Sequence, residues 1–242
     1  MSGKEPDFMI HGLVPFKFLG QEVYLTTTHV SLLIICSALI ILALIVRLKI
    51  KDTDGKPSRF QNAMELVVEL LDGMVDGSMG KKGIPFRNFI GILFIFILIS
   101  NISGLFGLRP PTADYGVTLA LGLITFFIVQ FNNVRYNKFG AVKELFEPIP
   151  LLFPINFIGE IAVPISLSLR LFGNVLAGTV IMALLYGLLS KVAFVWPGVL
   201  HVYFDLFSGA IQSYVFCMLT MVFISNKIPD TIIKKKKKNK NK

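Results

Sequence analysis

Arg170 is the residue whose position most demands chemistry. It lies in Pro164-Ile-Ser-Leu-Ser-Leu-Arg-Leu-Phe-Gly-Asn-Val-Leu-Ala-Gly178, roughly twenty residues from either end of an apolar stretch. A guanidinium stays protonated in proteins, so it cannot shed its charge on leaving water as a lysine can. At the centre of a membrane-spanning helix it costs about 2.5–3.5 kcal/mol on insertion scales, and more on others. One explanation is a structural ion pair within a helix bundle. The surroundings suggest another. Ser166, Arg170, Gly173, Asn174 and Ala177 recur at i, i+4, i+7, i+8 and i+11, one face of a helix. That face is small and polar, so a second helix can approach its backbone closely. Small residues alone would be ordinary helix packing; with a fixed positive charge, the face can attract a moving carboxylate.

The last apolar segment carries a second stripe. His201, Asp205, Ser208 and Gln212 stand at i, i+4, i+7 and i+11, and four hydrogen-bonding groups in line through an apolar helix read as a water-filled path or proton relay. His201 lies near the helix end and is also compatible with a simple interfacial position. Glu160 and Asn156, four apart, give the preceding segment an acidic group of its own. Glu160 precedes Arg170 by ten residues, about 80° around a helix, so the two need not share a lining. Asn101 is a single amide in a span, which often only bonds a neighbouring helix. Cys36 and Cys217 both sit in apolar segments, so neither a disulfide framework nor a metal site is expected. No nucleophile or metal set of recognised spacing accompanies Asp205 and His201, which argues against an intramembrane hydrolase. The chain reads as non-catalytic by itself and without a cofactor.

The elements that must position these residues follow from composition. The 242 residues are 54% hydrophobic and 16% charged, with a mean hydropathy of +0.69; a soluble domain is nearer a quarter charged. The solvent is therefore a lipid bilayer, and the fold class is all-α integral membrane. The net charge of +9 could suggest a nucleic-acid binder, but seven of the 24 basic residues lie in the tail Lys234–Lys242 and most others flank apolar runs. That is a topology signal, not a nucleic-acid surface. Residues 1–29 form an external N-terminal segment in which Pro6, Pro15 and Gly20 discourage a long helix. A single transmembrane domain follows over 30–226, and 227–242 is a basic cytoplasmic tail. Spans are expected at Val30–Val46, Phe89–Leu108 and Val117–Phe131, with a prolyl turn at 109–115. Over Phe60–Met79, Glu65, Glu69, Asp72 and Asp76 oppose Phe60, Met64, Val67, Leu71 and Val75, the pattern of an amphipathic interfacial helix.

Ile149–Leu189 and Val199–Ser225 close the chain. The first has 41 residues, about 60 Å as one helix against a hydrocarbon core of about 30 Å. It is either two crossings or one steeply tilted crossing. With one crossing and the N-terminus outside, nineteen Lys and Arg fall in the inside segments. Two crossings would put the polylysine tail outside, against the positive-inside bias. Five crossings are expected, with long tilted helices near the C-terminus.

At Ser166-Leu-Ser-Leu-Arg-Leu-Phe-Gly-Asn-Val-Leu-Ala-Gly178 the chain resembles subunit a of the bacterial F-type rotary ATP synthase. Asn101 followed by Gly104-Leu, the turn 110–114, Val117-Thr-Leu, Pro164, Gln212 and Leu219-Thr fall in the order of that family. The resemblance implies a non-catalytic stator subunit of a bacterial plasma membrane. Its partners would be a c-subunit ring and a b-subunit peripheral stalk, with two offset half-channels opening to opposite sides. On it, Arg170 is the essential arginine, drawing the proton from each passing c-ring carboxylate and blocking a direct leak. Asn174 is the polar residue one turn on, and Gln212 is the glutamine that faces the arginine. Asp205 stands where some members have His, and Thr179 where some have Glu or His. Glu160 stands four residues later than the acid of some relatives. The resulting expectation is an outer half-channel near Asp205, Gln212 and Glu160. The rotor carboxylate, and not this chain, would largely select H⁺ or Na⁺. The competing expectation is a self-contained ion-coupled carrier in which Arg170 binds an anionic substrate.

Overall fold

The computed structural model describes residues 12–18, 21–50, 58–106, 108–138, 140, 146, 149–188, 200 and 202–229. Five helices are long and apolar enough to cross a membrane: Thr27–Lys49, Ile84–Phe106, Tyr115–Asn137, Pro150–Leu185 and Val202–Lys227. The count matches the charge argument. The 41-residue stretch is one crossing helix and not two.

Two antiparallel strands precede the spans, β1 (Gly12–Phe18) and β2 (Gln21–Thr26), with Phe16 opposite Val23 and Phe18 opposite Gln21. The hairpin lies within residues 1–29, where Pro15 and Gly20 discourage a long helix. Helix α1 (Thr27–Lys49) starts where the Thr26 hydroxyl and His29 Nδ1 share a hydrogen bond at 2.6 Å, and carries Arg47 and Lys49 in its last turn. Both cations favour the partial negative charge of a helix C-terminus.

Helix α2 (Arg59–Met79) is capped by Ser58 Oγ, which accepts from the Gln61 N–H at 3.1 Å. Its apolar side is used unevenly. Val75 and Met79 are buried and Phe60, Met64 and Leu71 half-buried, but Val67 is exposed. Two of its four acids are engaged by Arg87 at the start of helix α3 (Arg87–Ile102): Nη2 lies 2.5 Å from Asp76 Oδ2 and Nη1 3.3 Å from Asp72 Oδ2. Part of the acidic face is thus neutralised within the chain. A 3₁₀ turn, Pro111–Ala113, leads to helix α4 (Tyr115–Asn137), with Pro111 and Thr112 buried.

Helix α5 (Phe153–Leu188) has 36 residues and contains Pro164. By its rise it measures about 54 Å, so it exceeds the hydrocarbon thickness. Helix α6 (Gly209–Lys227) follows a π-helical segment, Val202–Ser208. Packed residues fall into two units. The first comprises Met1–Asp52, Ile95–Val117 and Leu171–Ser213; the second comprises Thr53–Phe94, Thr118–Arg170 and Tyr214–Lys242. In the second unit Ile90, Phe216, Cys217, Met221 and Ile224 are fully buried. There α4 and α5 meet at Gly122, where a Cβ would stand 2.7 Å from the Pro164 carbonyl oxygen. Only glycine admits that approach, as expected where packing rather than water drives helix association. Hydroxyls buried among the helices turn back on their own backbone: Ser168 Oγ donates to the Ile165 carbonyl and Thr220 Oγ1 to that of Phe216, each at 2.9 Å.

Candidate functional site

Arg170 sits at the midpoint of α5 and its side chain is exposed. Among the described residues it has no hydrogen bond or ion pair. The structural pair considered from sequence is thus absent among those residues. The rest of the predicted face is also uncovered: Ser166, Gly173, Asn174 and Ala177 are all exposed. The opposite face of the helix is buried at Pro164, Leu167, Ser168, Leu171, Gly178 and Met182. A Cβ on Gly173 would meet nothing within 4 Å. The helix therefore buries one stripe in its own chain and leaves the arginine stripe open.

In the first unit the polar residues gather around Asn101 and Gln212. The Asn101 amide donates to the Gly209 carbonyl at 3.1 Å and to Ser213 Oγ at 3.3 Å, and accepts from Thr112 Oγ1 at 2.7 Å. This one side chain joins α3, the 3₁₀ turn and the start of α6, which is the helix-bonding role open to it from sequence. Gly209 permits the approach, since a Cβ there would stand 2.9 Å from Asn101 Cβ. Asn174 Nδ2 donates to Gln212 Oε1 at 2.6 Å. Gln212 is 3% exposed, and its Nε2 has no hydrogen-bond partner among the described residues. A cavity of about 20 Å³ is lined by Asn101, Asn174, Asp205, Ser208 and Gln212. That is room for one water molecule, and the site is polar enough to hold it.

Asp205 is half-buried in the π-helical segment, with its carboxylate against Gly104, where a Cβ would stand 3.3 Å from Oδ2. The i, i+4, i+7, i+11 stripe presumes 3.6 residues per turn. The π-turn changes the phase over Val202–Ser208, yet Asp205, Ser208 and Gln212 still line one cavity. His201, the first member of that stripe, lies outside the described residues.

In the second unit Glu160 has partners the sequence did not indicate. Lys227 Nζ lies 2.7 Å from Glu160 Oε1, and Gln130 Nε2 donates to Oε2. Both carboxylate oxygens are engaged. Pro164, four residues on, has no N–H to give the Glu160 backbone carbonyl. Glu160, Asn156, Asn226 and Lys227 line a cavity of about 580 Å³. A second cavity of about 210 Å³ contains Arg170 and Ser166. The two cavities adjoin, sharing Gly159, Val163 and Phe223 as wall residues. Glu160 lines the 580 Å³ cavity of the second unit, and Asp205 and Gln212 line the 20 Å³ cavity of the first. Among the described residues no three His, Cys, Asp or Glu side chains gather as a metal site.

A cation exposed midway along a 36-residue apolar helix, with no partner among the described residues, in a chain with five helices long and apolar enough to cross a membrane, marks an integral membrane protein. Residues 30–225 match the family described as ATP synthase A chain. The chain is 38% identical over 234 residues to "ATP synthase subunit a, sodium ion specific" of Propionigenium modestum, covering 89% of this chain and 80% of that one. It is 34% identical over 236 residues to ATP synthase subunit a of Priestia megaterium, covering 91% and 98%. With the Bacillus subtilis subunit a the identity is 31% over 244 residues, again covering 91% and 98%. The chain belongs to the F-type ATP synthase subunit a family.

Proposed function

We propose that this chain is the ion-translocating stator subunit of a rotary ATP synthase membrane sector in a bacterial plasma membrane. It works against a c-subunit ring and is held by a b-subunit peripheral stalk, with its N-terminus outside and its C-terminus cytoplasmic. The observation that carries the reading is Arg170: exposed, mid-helix, and without a carboxylate among the described residues. Lipid is a costly neighbour for such a group, so a partner's acid must meet it.

In the direction of synthesis, a proton arrives from outside at Asp205 and passes the water site between Ser208 and Gln212 to a rotor carboxylate. The neutral acid then enters lipid at a cost far below that of the carboxylate. After most of a turn it gives its proton to the passage lined by Glu160 and Asn156, and the bare carboxylate is held by Arg170 across a gap of low dielectric constant. Each charge moved gains about 2.3 kcal/mol per 100 mV, so several must pass for each ATP made. Arg170 is the barrier that keeps the two paths from joining. Chemistry at the phosphates belongs to other subunits, so this chain is not an enzyme alone. The family matches favour this subunit over a self-contained carrier.

A second reading takes Na⁺ as the coupling ion, favoured by the relative named sodium ion specific. The experiment is ATP-driven transport by the whole enzyme in proteoliposomes, followed by a pH-sensitive dye and by ²²Na⁺ uptake. Arg170→Ala is expected to abolish both signals. Normal pumping by that variant removes the stator reading, and the wild-type signal that survives alone identifies the ion.

A further inference from the structure

Glu160 already holds a cation. The ammonium of Lys227 lies 2.7 Å from Oε1, with side-chain exposures of 12% for the lysine and 26% for the acid. Gln130 takes the other oxygen. Lys227 is the last residue of α6, and Asn137 Nδ2 donates to its backbone carbonyl at 3.2 Å. The backbone is thus anchored while the four-carbon stem reaches into the cavity. That cavity, about 580 Å³, shares the walls Gly159, Val163 and Phe223 with the smaller cavity that Arg170 lines. At about 30 Å³ per molecule it accommodates many waters. The larger cavity therefore has a flexible ammonium seated on the only acid lining it among the described residues, and a fixed guanidinium lines the adjoining one.

An ammonium is a compact, strongly hydrated point charge with rotatable donors. It can occupy the position that a small monovalent cation would take on the same carboxylate. We propose that Lys227 is a tethered cation seated at a monovalent-cation site on Glu160, in the ion path on the inner side. With the ammonium seated, the Glu160 charge is already balanced and the Arg170 guanidinium lines the adjoining cavity, so a further cation is repelled. With the ammonium turned away, Glu160 receives the arriving ion. Lys227 thereby sets the cation concentration at which the path fills. This rests on the stator reading above.

The test uses the whole enzyme in proteoliposomes with its ATP-hydrolysing part facing out, so that the external medium supplies the inner path during ATP-driven pumping. Initial rates are measured against external Na⁺ at fixed pH, and against pH at low Na⁺, for wild type, K227Q, K227R and E160Q. K227Q is expected to lower the half-saturating concentration of the driving cation by about three- to tenfold, with kcat little changed. K227R keeps the wild-type value. E160Q raises it and makes an added K227Q silent. Unchanged half-saturation in both K227Q and E160Q overturns the proposal. If K227Q does not assemble, E160Q decides by itself, because a merely structural pair lowers kcat and leaves half-saturation alone. Arg170→Ala separates the two levels. If it pumps normally the stator reading falls; if it is inactive while half-saturation stays fixed in the other variants, only the tethered cation falls.

Discussion

Asn174 Nδ2 donates to Gln212 Oε1 at 2.6 Å, from the exposed stripe of α5 to a glutamine that is 3% exposed on α6. The bond orients the glutamine so that its Nε2 stays without a partner among the described residues, next to a cavity the size of one water. A buried donor left in that state is worth a specific role.

Gln212→Leu tests that role. An interhelical hydrogen bond in a membrane averages about 0.6 kcal/mol, so stability in detergent should fall by no more than about 1 kcal/mol. ATP-driven transport should fall severalfold, because the leucine removes both the oriented donor and the water site. Thermal unfolding and dye quenching, measured on the same preparation, separate the two effects.

Asn101 should behave in the opposite way. Asn101→Leu deprives the fully buried Thr112 hydroxyl of its acceptor and removes two donors to α6. The expected cost is about 1–3 kcal/mol, the usual penalty for a buried group left unpaired. A melting curve in detergent measures it, and Asn101→Leu melting at the wild-type temperature would remove the hub.

Two glycines of the second unit should part company. At Gly122 a Cβ meets the Pro164 carbonyl oxygen at 2.7 Å, so Gly122→Ala should lose about 1–3 kcal/mol by forcing α4 and α5 apart. At Gly159 a Cβ meets nothing within 4 Å, and Gly159→Ala should gain about 0.5–1 kcal/mol through helix propensity. Gly159→Leu should fold but slow transport, because Gly159 is a wall shared by the Glu160 cavity and the cavity lined by Arg170.

Arg87 ties α2 to the start of α3 through Asp72 and Asp76. In Arg87→Ala, peptides from Arg59–Met79 should exchange amide hydrogen faster, as read by mass spectrometry. Salt at about 1 M should move wild type in the same direction, since the Debye length then falls to about 3 Å, comparable with these exposed contacts.

The orientation of the chain is tested by chemistry at α2. A single cysteine in place of the exposed Glu69 should react with a membrane-impermeant maleimide in inverted vesicles and not in intact cells. Labelling in intact cells would place α2 outside and reverse every half-channel assignment.

Much of the fold was legible because a bilayer leaves few choices. A buried backbone in lipid must bond within its own segment, so each apolar run becomes a helix. The positions of Lys and Arg chose one crossing for the 41-residue stretch, and α5 is indeed one helix. The arginine stripe was legible too, because a helix has one period. The π-turn at Val202–Ser208 was not, since nothing in the apolar pattern marks a local change of winding. The hairpin at residues 12–26 was not legible either, since Gly12-Leu-Val-Pro-Phe-Lys-Phe18 does not alternate cleanly between apolar and polar residues and contains Pro15.

The residue types and their spacing determined by themselves that this chain lives in a membrane, that it crosses five times, and that Arg170 has no cheap place to go. Those conclusions need only local periodicity and the cost of charge in oil. Which acid takes which cation was decided by the tertiary structure alone. Glu160 and Lys227 are 67 residues apart, and a pairing at that separation depends on how three helices pack, not on any pattern within one of them. The same holds for Asn174 and Gln212. A helix announces its own faces, but what each face meets is settled only when the others have docked against it.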